Sequence, residues 1–546
     1  MNRFPKATSL LVALLLAACA SGSSPQPAPP TPPGVDVSPV AAADPGSALP
    51  ASWVQGPFME IYVRGYQDSD GDGIGDLRGL TARLDYLQAL GVTGLWLMPI
   101  NASQDHDHGY AVADYRALEP AYGTVADLDE LLRQAHARGI GVIIDYVMNH
   151  SASSNPLFQA SAASAPGGWR DWYVWSASHP SGWLVWGSKD PWCDGAGSYY
   201  APFSCGMPDF NLLDPAVVAY HHDNLRLWLN HGVDGFRFDA VGMLVENGPA
   251  AWSDQPQDYA LMGDVKALLG QYANRYMVCE DPGGAAAFAA CGAAFDFGPS
   301  SDLLAAAGGD TAALARVATG YEGLAAGEVG RRATFLANHD SFTGGRVMDQ
   351  LAGNAARARL AAALLLLRAG TPFLYYGEEI GMTGATSLTG DHKLRTPMSW
   401  TGEPLRAGFT TGTPFRALSG NAAAYNVAGE TGQPGSMLEW YRALIALRRA
   451  EPALAAGLAQ GGQALGASTI AFQRTLGAAH ALVLVNDGAA ADAVTVTALP
   501  PGATLTGRFP GPATGAPVTP DAAVAADGTL GVTVPALGVL VYTWSG

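Results

Sequence analysis

The segment Gly-Val-Asp-Gly-Phe-Arg-Phe-Asp-Ala, Gly232 to Ala240, carries an apolar run into an acid, Asp239, with Arg237 two residues before it. Side chains alternate with period two along a strand, so Arg237 and Asp239 share one face. A buried guanidinium requires an anionic partner, and the pairing favours the ionised carboxylate. One Arg-x-Asp by itself is an ordinary structural ion pair, but the pattern recurs. Val142-Ile143-Ile144 stops at Asp145, with Asn149 and His150 following. Tyr276-Met277-Val278-Cys279 stops at Glu280, and Thr334-Phe335-Leu336-Ala337 stops at Asn338-His339-Asp340. Short apolar runs of this kind suit parallel strands buried on both faces, whose polar groups emerge at their carboxyl ends. The fold expected is therefore α/β, a (β/α)8 TIM barrel in which those acids converge on one cleft.

Outward from these strands the alternation continues. Phe58 to Tyr66 reads as strand one, Leu80 to Leu90 as a helix, Gly94 to Pro99 as a short strand and Val125 to Arg138 as an amphipathic helix. Helical stretches near 215–230, 257–273, 355–368 and 437–449, with strands at 293–297 and 371–377, complete eight strand–helix repeats. Residues 151–213 break the pattern and hold Trp169, Trp172, Trp175, Trp183, Trp186 and Trp192 among Gly, Ser and Pro. That is too long for a bare loop, so a small inserted domain is expected, most of its tryptophans filling its own core. After about residue 455, short β-rich runs separated by Gly, Ala and Pro predict an antiparallel β-sandwich over 456–546. The barrel then occupies 53–150 and 214–455.

The chain of 546 residues carries a formal charge of −18, which argues against nucleic acid or an anionic membrane surface as partner. Residues 1–19 read as a targeting segment, with Arg3 and Lys6 ahead of the short apolar core Leu10 to Ala18. Leu16-Ala17-Ala18-Cys19 resembles the bacterial lipoprotein cleavage box, in which the Cys is lipidated. The expected product is exported and anchored to the cell envelope, touching membrane only through that lipid. Residues 20–52, rich in Ser, Pro and Ala and without period, read as an extended tether.

With Cys19 used, four of the five cysteines remain, an even number for an oxidising compartment. The pairs nearest in sequence are Cys193 with Cys205 and Cys279 with Cys291. Each would close a loop of roughly 13 residues, worth about 3 kcal/mol in the chain-entropy account. Cys279 precedes Glu280 on a strand, so a buried free thiol is the alternative there.

Asp68-Ser69-Asp70-Gly71-Asp72-Gly73-Ile74-Gly75-Asp76 places acids at positions 1, 3, 5 and 9 and Gly at 6, matching three-quarters of an EF-hand loop. Position twelve is Gly79 rather than Glu, so no helix–loop–helix hand is built. Four carboxylates so close repel one another unless a hard cation gathers them, and Ca2+ is the expected ion.

The segments Asp145-Tyr-Val-Met-Asn-His150, Gly235-Phe-Arg-Phe-Asp-Ala240, Glu280 and Phe335-Leu-Ala-Asn-His-Asp340 resemble, in order, the four main signature regions of the α-amylase superfamily, glycoside hydrolase family 13. The resemblance spans roughly residues 53–455. Met207 to Asn211 is similar to the fifth region, and residues 151–213 to domain B, inserted after strand three. The acidic loop resembles the calcium site of oligo-1,6-glucosidase-like members, which implies Asp68, Asp70, Asp72, Asp76 and the Ile74 carbonyl as ligands in a structural role.

Glycoside hydrolysis needs two carboxyl groups in different protonation states. Asp239 beside Arg237 suits the nucleophile; Glu280, in an apolar run that raises its pKa, suits the general acid. The resemblance implies the same roles, a retaining double displacement and α-amylase-type hydrolysis of starch, an α-glucan, or maltooligosaccharides, with an exo-acting α-glucosidase or a transglycosylase as the alternative. It further implies that Asp340 grips hydroxyls of the distorted sugar, that His150 and His339 hydrogen-bond the same ring, and that Tyr110 lies beneath it as an aromatic platform. Asp145 is expected to be the buried partner of Arg237. Ala240 stands where α-1,6-cleaving relatives tend to carry Val, which leans the linkage towards α-1,4.

Overall fold

A computed structural model describes residues 32 and 34–546. The targeting segment and Cys19 lie outside the described residues. Eight parallel strands close into a barrel: β1 Phe58–Ile61, β2 Gly94–Leu97, β3 Gly141–Tyr146, β4 Gly235–Phe238, β5 Tyr276–Cys279, β6 Ala294–Phe295, β7 Arg332–Phe335 and β8 Thr371–Tyr375. Each pairs with its sequence neighbour, and β8 closes onto β1 with Phe58 opposite Phe373. Registers of Asp145 with Arg237 and of Cys279 with Phe238 bring the ends of β3, β4 and β5 to one level.

The floor of the barrel is apolar. Phe58, Trp96, Ile143, Val278, Phe295, Phe335 and Phe373 fill it, with Phe58 and Phe373 stacked at 4.7 Å. Trp53 caps this layer from a short 3-10 turn, Ala51–Gln55. β2 and β3 start on glycine because nothing larger fits: a Cβ on Gly141 would meet the Trp53 ring at 2.4 Å, and one on Gly94 the Phe58 ring at 2.4 Å. Outside, helices such as Pro215–Asn230 bury one face, here Val217, Tyr220, Leu225, Trp228 and Leu229. No helix among the described residues is long and apolar enough to cross a membrane.

Three expectations are corrected. Strand one ends at Ile61, and the chain turns into a single helical turn, Val63–Tyr66, because Arg64 and Gln67 carbonyls must accept from Gly75 and Asp76 to close the acidic loop. The helix expected at 80–90 starts earlier, at Leu77 under an Asp76 cap, and breaks at Arg83 into Leu77–Ala82 and Leu84–Leu90. The described end of the segment read as a tether is docked. Val40 and Ala43 amides donate to Asp223 and Asn230 of the helix 215–230, the Ala273 amide donates to Asp44, and Arg116 pairs with Asp36 at 3.0 Å. Composition without period hides such docking, because it is made by backbone amides and by two isolated acids, Asp36 and Asp44, whose partners lie far along the chain.

Residues 151–213 hold a helix, Pro156–Ala163, and a three-stranded sheet of Trp175–Ser176, Gly197–Tyr200 and Trp192–Gly195, stapled by the Cys193–Cys205 disulfide. Trp169, Trp172 and Trp192 are buried there, whereas Trp186 stands out. The second expected disulfide, Cys279–Cys291, is also formed, so Cys279 is not a free thiol. The C-terminal region is antiparallel: six strands face a two-stranded ribbon, Asp492–Val496 with Leu530–Val534, over a core including Leu482, Leu484, Val496, Leu505 and Val534. A buried arginine locks it to the barrel, Arg474 donating to the Leu367 carbonyl, while Arg448 of the barrel's last helix donates to those of Leu366 and Gly370 beside it.

Candidate active site

At the carboxyl ends of β3, β4 and β5, one guanidinium organises three acids. Arg237 Nη1 lies 2.9 Å from Asp145 and 2.7 Å from Asp239 Oδ1, while its Nη2 lies 2.8 Å from Glu280 Oε2. Asp239 and Glu280 are therefore separated by no more than the two arms of one side chain. Asp145 is fully buried and also accepts from Trp96 Nε1 and Tyr110 Oη, so it is the structural partner of Arg237, as expected. Ala240 turns sharply after Asp239 with φ +48°, a conformation rare outside glycine, and its amide donates to Glu280 Oε2 at 3.2 Å.

The electrostatics differ from the expectation that Arg237 alone would hold Asp239 low. Burial outweighs the arginine, which is shared among three acids, and pushes Asp239 up to about 6. Burial also raises Glu280, to about 7, against the pull of Arg237 and with help from the charge of Asp239. The order of the two is the one that keeps an ionised aspartate beside a protonated glutamate. Asp340 is the opposite case. Burial works against its charge, but His339 and Arg395 hold the carboxyl well below the usual range. Its oxygens lie 3.1 Å from His339 Nε2 and 2.9 Å from Arg395.

Both nitrogens of His339 are committed, Nδ1 to Glu60 at 2.5 Å and Nε2 to Asp340 and Tyr110 Oη. Burial opposes its charge, yet Asp340 and Glu60 raise it to about 10, so it stays cationic. Arg237 and His339 thus lie beneath the cleft rather than on its lining, where they set the acids and Tyr110 in place. Tyr110 stacks on the His339 ring at 5.3 Å and turns its other side to the cleft. His150 also lines it; burial lowers its pKa to about 3, so it is neutral. Asp239, Glu280, Asp340, Tyr110 and His150 meet around one cleft of about 270 Å³, closed further by His108, Phe203, Phe342, Asp391 and Arg395.

Sequence reasoning missed Glu60, Trp96, Arg395 and Asp107. Glu60 was legible in principle, a lone acid among Phe58, Met59 and Ile61 on a strand buried at every position. Asp107 was not, because its partners Arg416 (2.6 Å) and His392 (3.2 Å) lie some 300 residues away.

In the acidic loop, oxygens of Asp68, Asp70 and Asp76 lie within 4.8 Å of one another. Asp68 also accepts from the Asp70, Gly71 and Gly73 amides, which rigidifies the turn. Asp72 instead accepts from the Ile74 amide at 2.7 Å. A ring of hard oxygen donors on a preorganised turn fits a calcium-sized cation.

The catalytic domain of the alpha amylase family matches residues 60–296 and 307–457. The chain belongs to the α-amylase family. Within it, the chain is 34% identical to Alpha-amylase 3 of Dictyoglomus thermophilum over 401 residues, 72% of this chain and 76% of that one. It is 29% identical to an oligo-1,6-glucosidase of Parageobacillus thermoglucosidasius over 472 residues, 73% of this chain and 83% of that one. The crystal structure of an α-amylase from H. orenii superposes with a TM-score of 0.75 at 29% identity, covering 90% of this chain and 99% of that one. The α-amylase family member described here is thus an enzyme of the glycoside hydrolase and transglycosylase class.

Proposed function

We propose that this enzyme is a retaining α-glucosidase that releases glucose from the non-reducing ends of α-1,4-linked maltooligosaccharides. The observation that carries the choice of end is Asp107. It ties the loop before Tyr110 to Arg416 and His392 of the long segment after β8, and Tyr62 donates to it as well. With Arg395 bridging Asp340 and Asp391, these pairs brace the wall of the cleft that His108, Asp340, Asp391 and Arg395 form. A chain continuing through the site would have to part the half-buried Asp107–Arg416 and Asp340–Arg395 pairs.

In the first step Asp239 attacks the anomeric carbon while Glu280 gives its proton to the departing oxygen, leaving a glucosyl ester on Asp239. In the second step Glu280 takes a proton from water, which displaces the ester with net retention. Two carboxyl groups joined through one guanidinium suit the close spacing of a retaining pair better than the wider gap that must admit a water. Asp340, held ionised, would accept hydrogen bonds from ring hydroxyls, and neutral His150 would offer its free ring nitrogen. Tyr110 supplies an apolar face for the sugar's C–H groups.

A second reading, endo-action on starch, is favoured by the 34% identity to a protein named as an α-amylase. Chromatography of products from maltoheptaose, amylose, pullulan and isomaltose separates the two: glucose alone supports the exo reading, and early maltose and maltotriose from amylose overturn it.

The acidic loop would hold a structural Ca2+ through Asp68, Asp70, Asp76 and the Ile74 carbonyl, with Asp72 as an outer acid. Export with anchoring through Cys19 fits the cleavage-box sequence and the two disulfides, which form in oxidising compartments. A mature protein without acyl mass at Cys19 would refute the anchor.

A further inference from the structure

The seam between β5 and β6 is the thinnest in the barrel, and Glu280 stands at its end. Every other pair of neighbouring strands is in register at two to four positions. β5 meets β6 at one, Cys279 opposite Ala294, where the Cys279 amide donates to the Ala293 carbonyl at 3.0 Å. A parallel ladder is held by a run of evenly spaced hydrogen bonds, and one position gives no run.

The same asymmetry reaches Glu280 itself. Its amide donates to the Phe238 carbonyl at 2.9 Å and its carbonyl accepts from the Val241 amide at 3.0 Å. Its carboxyl group is held by Arg237 and the Ala240 amide. All of these partners belong to β4 and the turn that follows it. On the β6 side the tether is Cys279, next to Glu280 in sequence, through its disulfide to Cys291. Both cysteines are buried. Cys291 ends the short helix Ala287–Cys291, which is docked on its own account. Its Phe288 ring lies under the guanidinium of Arg332 of β7 at 3.9 Å, and Lys266 donates to the Ala289 carbonyl at 3.2 Å. Arg332 also pairs at 3.3 Å with Asp296, the residue after β6. The cross-link thus joins the residue before Glu280 to a fixed support, at the one seam where the ladder cannot.

We propose that the Cys279–Cys291 disulfide is a positioning element for proton transfer: it holds Glu280 in line with the departing glycosidic oxygen. The inference rests on the role of acid given above to Glu280. A proton donor acts only within about 2.6–3.2 Å of the atom it protonates. A misplacement of about 1 Å can cost about 100-fold in rate. Without the cross-link the β6 side of residue 280 is free to move, and water gains access to the carboxyl group.

The test compares two donors on one enzyme. Maltose departs only with a proton from Glu280, whereas α-glucosyl fluoride needs none, and kcat/KM for each reports the first chemical step. In Cys279→Ser with Cys291→Ser, the ratio of kcat/KM on maltose to that on the fluoride should fall about 10- to 100-fold. The ratio is independent of how much active enzyme survives substitution. Burial raises Glu280 to about 7, so access of water should also move the alkaline limb of the maltose profile to lower pH. Cys291→Ala alone, which leaves the strand residue in place, gives the same readouts should the double variant not fold. Cys193→Ser with Cys205→Ser removes the other disulfide, whose partners are likewise 12 apart in sequence, and should leave ratio and limb where they are. A ratio and limb unmoved by loss of Cys279–Cys291, or moved equally by loss of Cys193–Cys205, would overturn the proposal. Glu280→Gln is the reference: should the ratio not fall there, the assignment of the acid fails, whatever the cysteines do.

Discussion

Replacing Glu280 with Gln separates the two carboxyl groups on which the chemistry depends. The productive form has Asp239 ionised and Glu280 protonated. With Asp239 at about 6 and Glu280 at about 7, kcat/KM on maltose should follow a narrow bell peaking near about pH 6.5. Well outside the two pKa values the rate falls about tenfold per pH unit on either side. The amide in Glu280→Gln cannot donate a proton, so hydrolysis of maltose should drop by about 10²–10⁴-fold. α-Glucosyl fluoride needs no proton on its leaving group, so formation of the glucosyl-enzyme from it should survive. Followed by fluoride release in a single turnover, that step should lose the alkaline limb and keep the acid limb of Asp239. An alkaline limb persisting in the variant would assign it to another group. Undiminished turnover of maltose would remove Glu280 from the role of acid.

Three further outcomes follow from the structure. Arg416→Ala removes the shortest ion pair of Asp107 and loosens the braced wall of the cleft; glucose should cease to be the sole early product from maltoheptaose, and an unchanged profile would contradict the exo reading. Chelation with EDTA should lower Tm while leaving kcat at 25 °C unaltered, because the Asp68–Asp76 loop lies apart from the carboxyl cleft; unchanged Tm would argue against a structural ion. Replacing Cys279 and Cys291 together with Ser removes a cross-link between residues 12 apart in sequence, worth about 3 kcal/mol, so differential scanning calorimetry should show a lowered Tm, and no shift would show that the cross-link adds nothing.

The barrel was legible because buried parallel strands leave a strong local mark: a few apolar residues, then an acid. Val142 to Asp145 and Tyr276 to Glu280 carry that mark in full, and the structure places both acids at strand ends. β6 was faint because only Ala294 and Phe295 pair. What the sequence concealed is long-range. The Asp239 pKa depends on how many acids share Arg237, and the braced wall of the cleft on Asp107 meeting Arg416. The docking of residues 36–44 depends on acceptors carried by distant helices. None of these leaves a periodic trace in the segment concerned. His339 shows the same limit: the sequence placed it on the sugar ring, whereas the structure sets it beneath the cleft, because Glu60 of β1 occupies its other nitrogen and turns it into a buried cation.

The most direct measurement is mass spectrometry of the trapped intermediate. A 5-fluoro-α-glucosyl fluoride should inactivate the enzyme and leave one sugar on the peptide containing Asp239, with α-configured product released on reactivation. Label on Glu280, Asp340 or Asp145 instead, or inverted product from an enzyme that never becomes labelled, would contradict the assignment of Asp239 as the nucleophile.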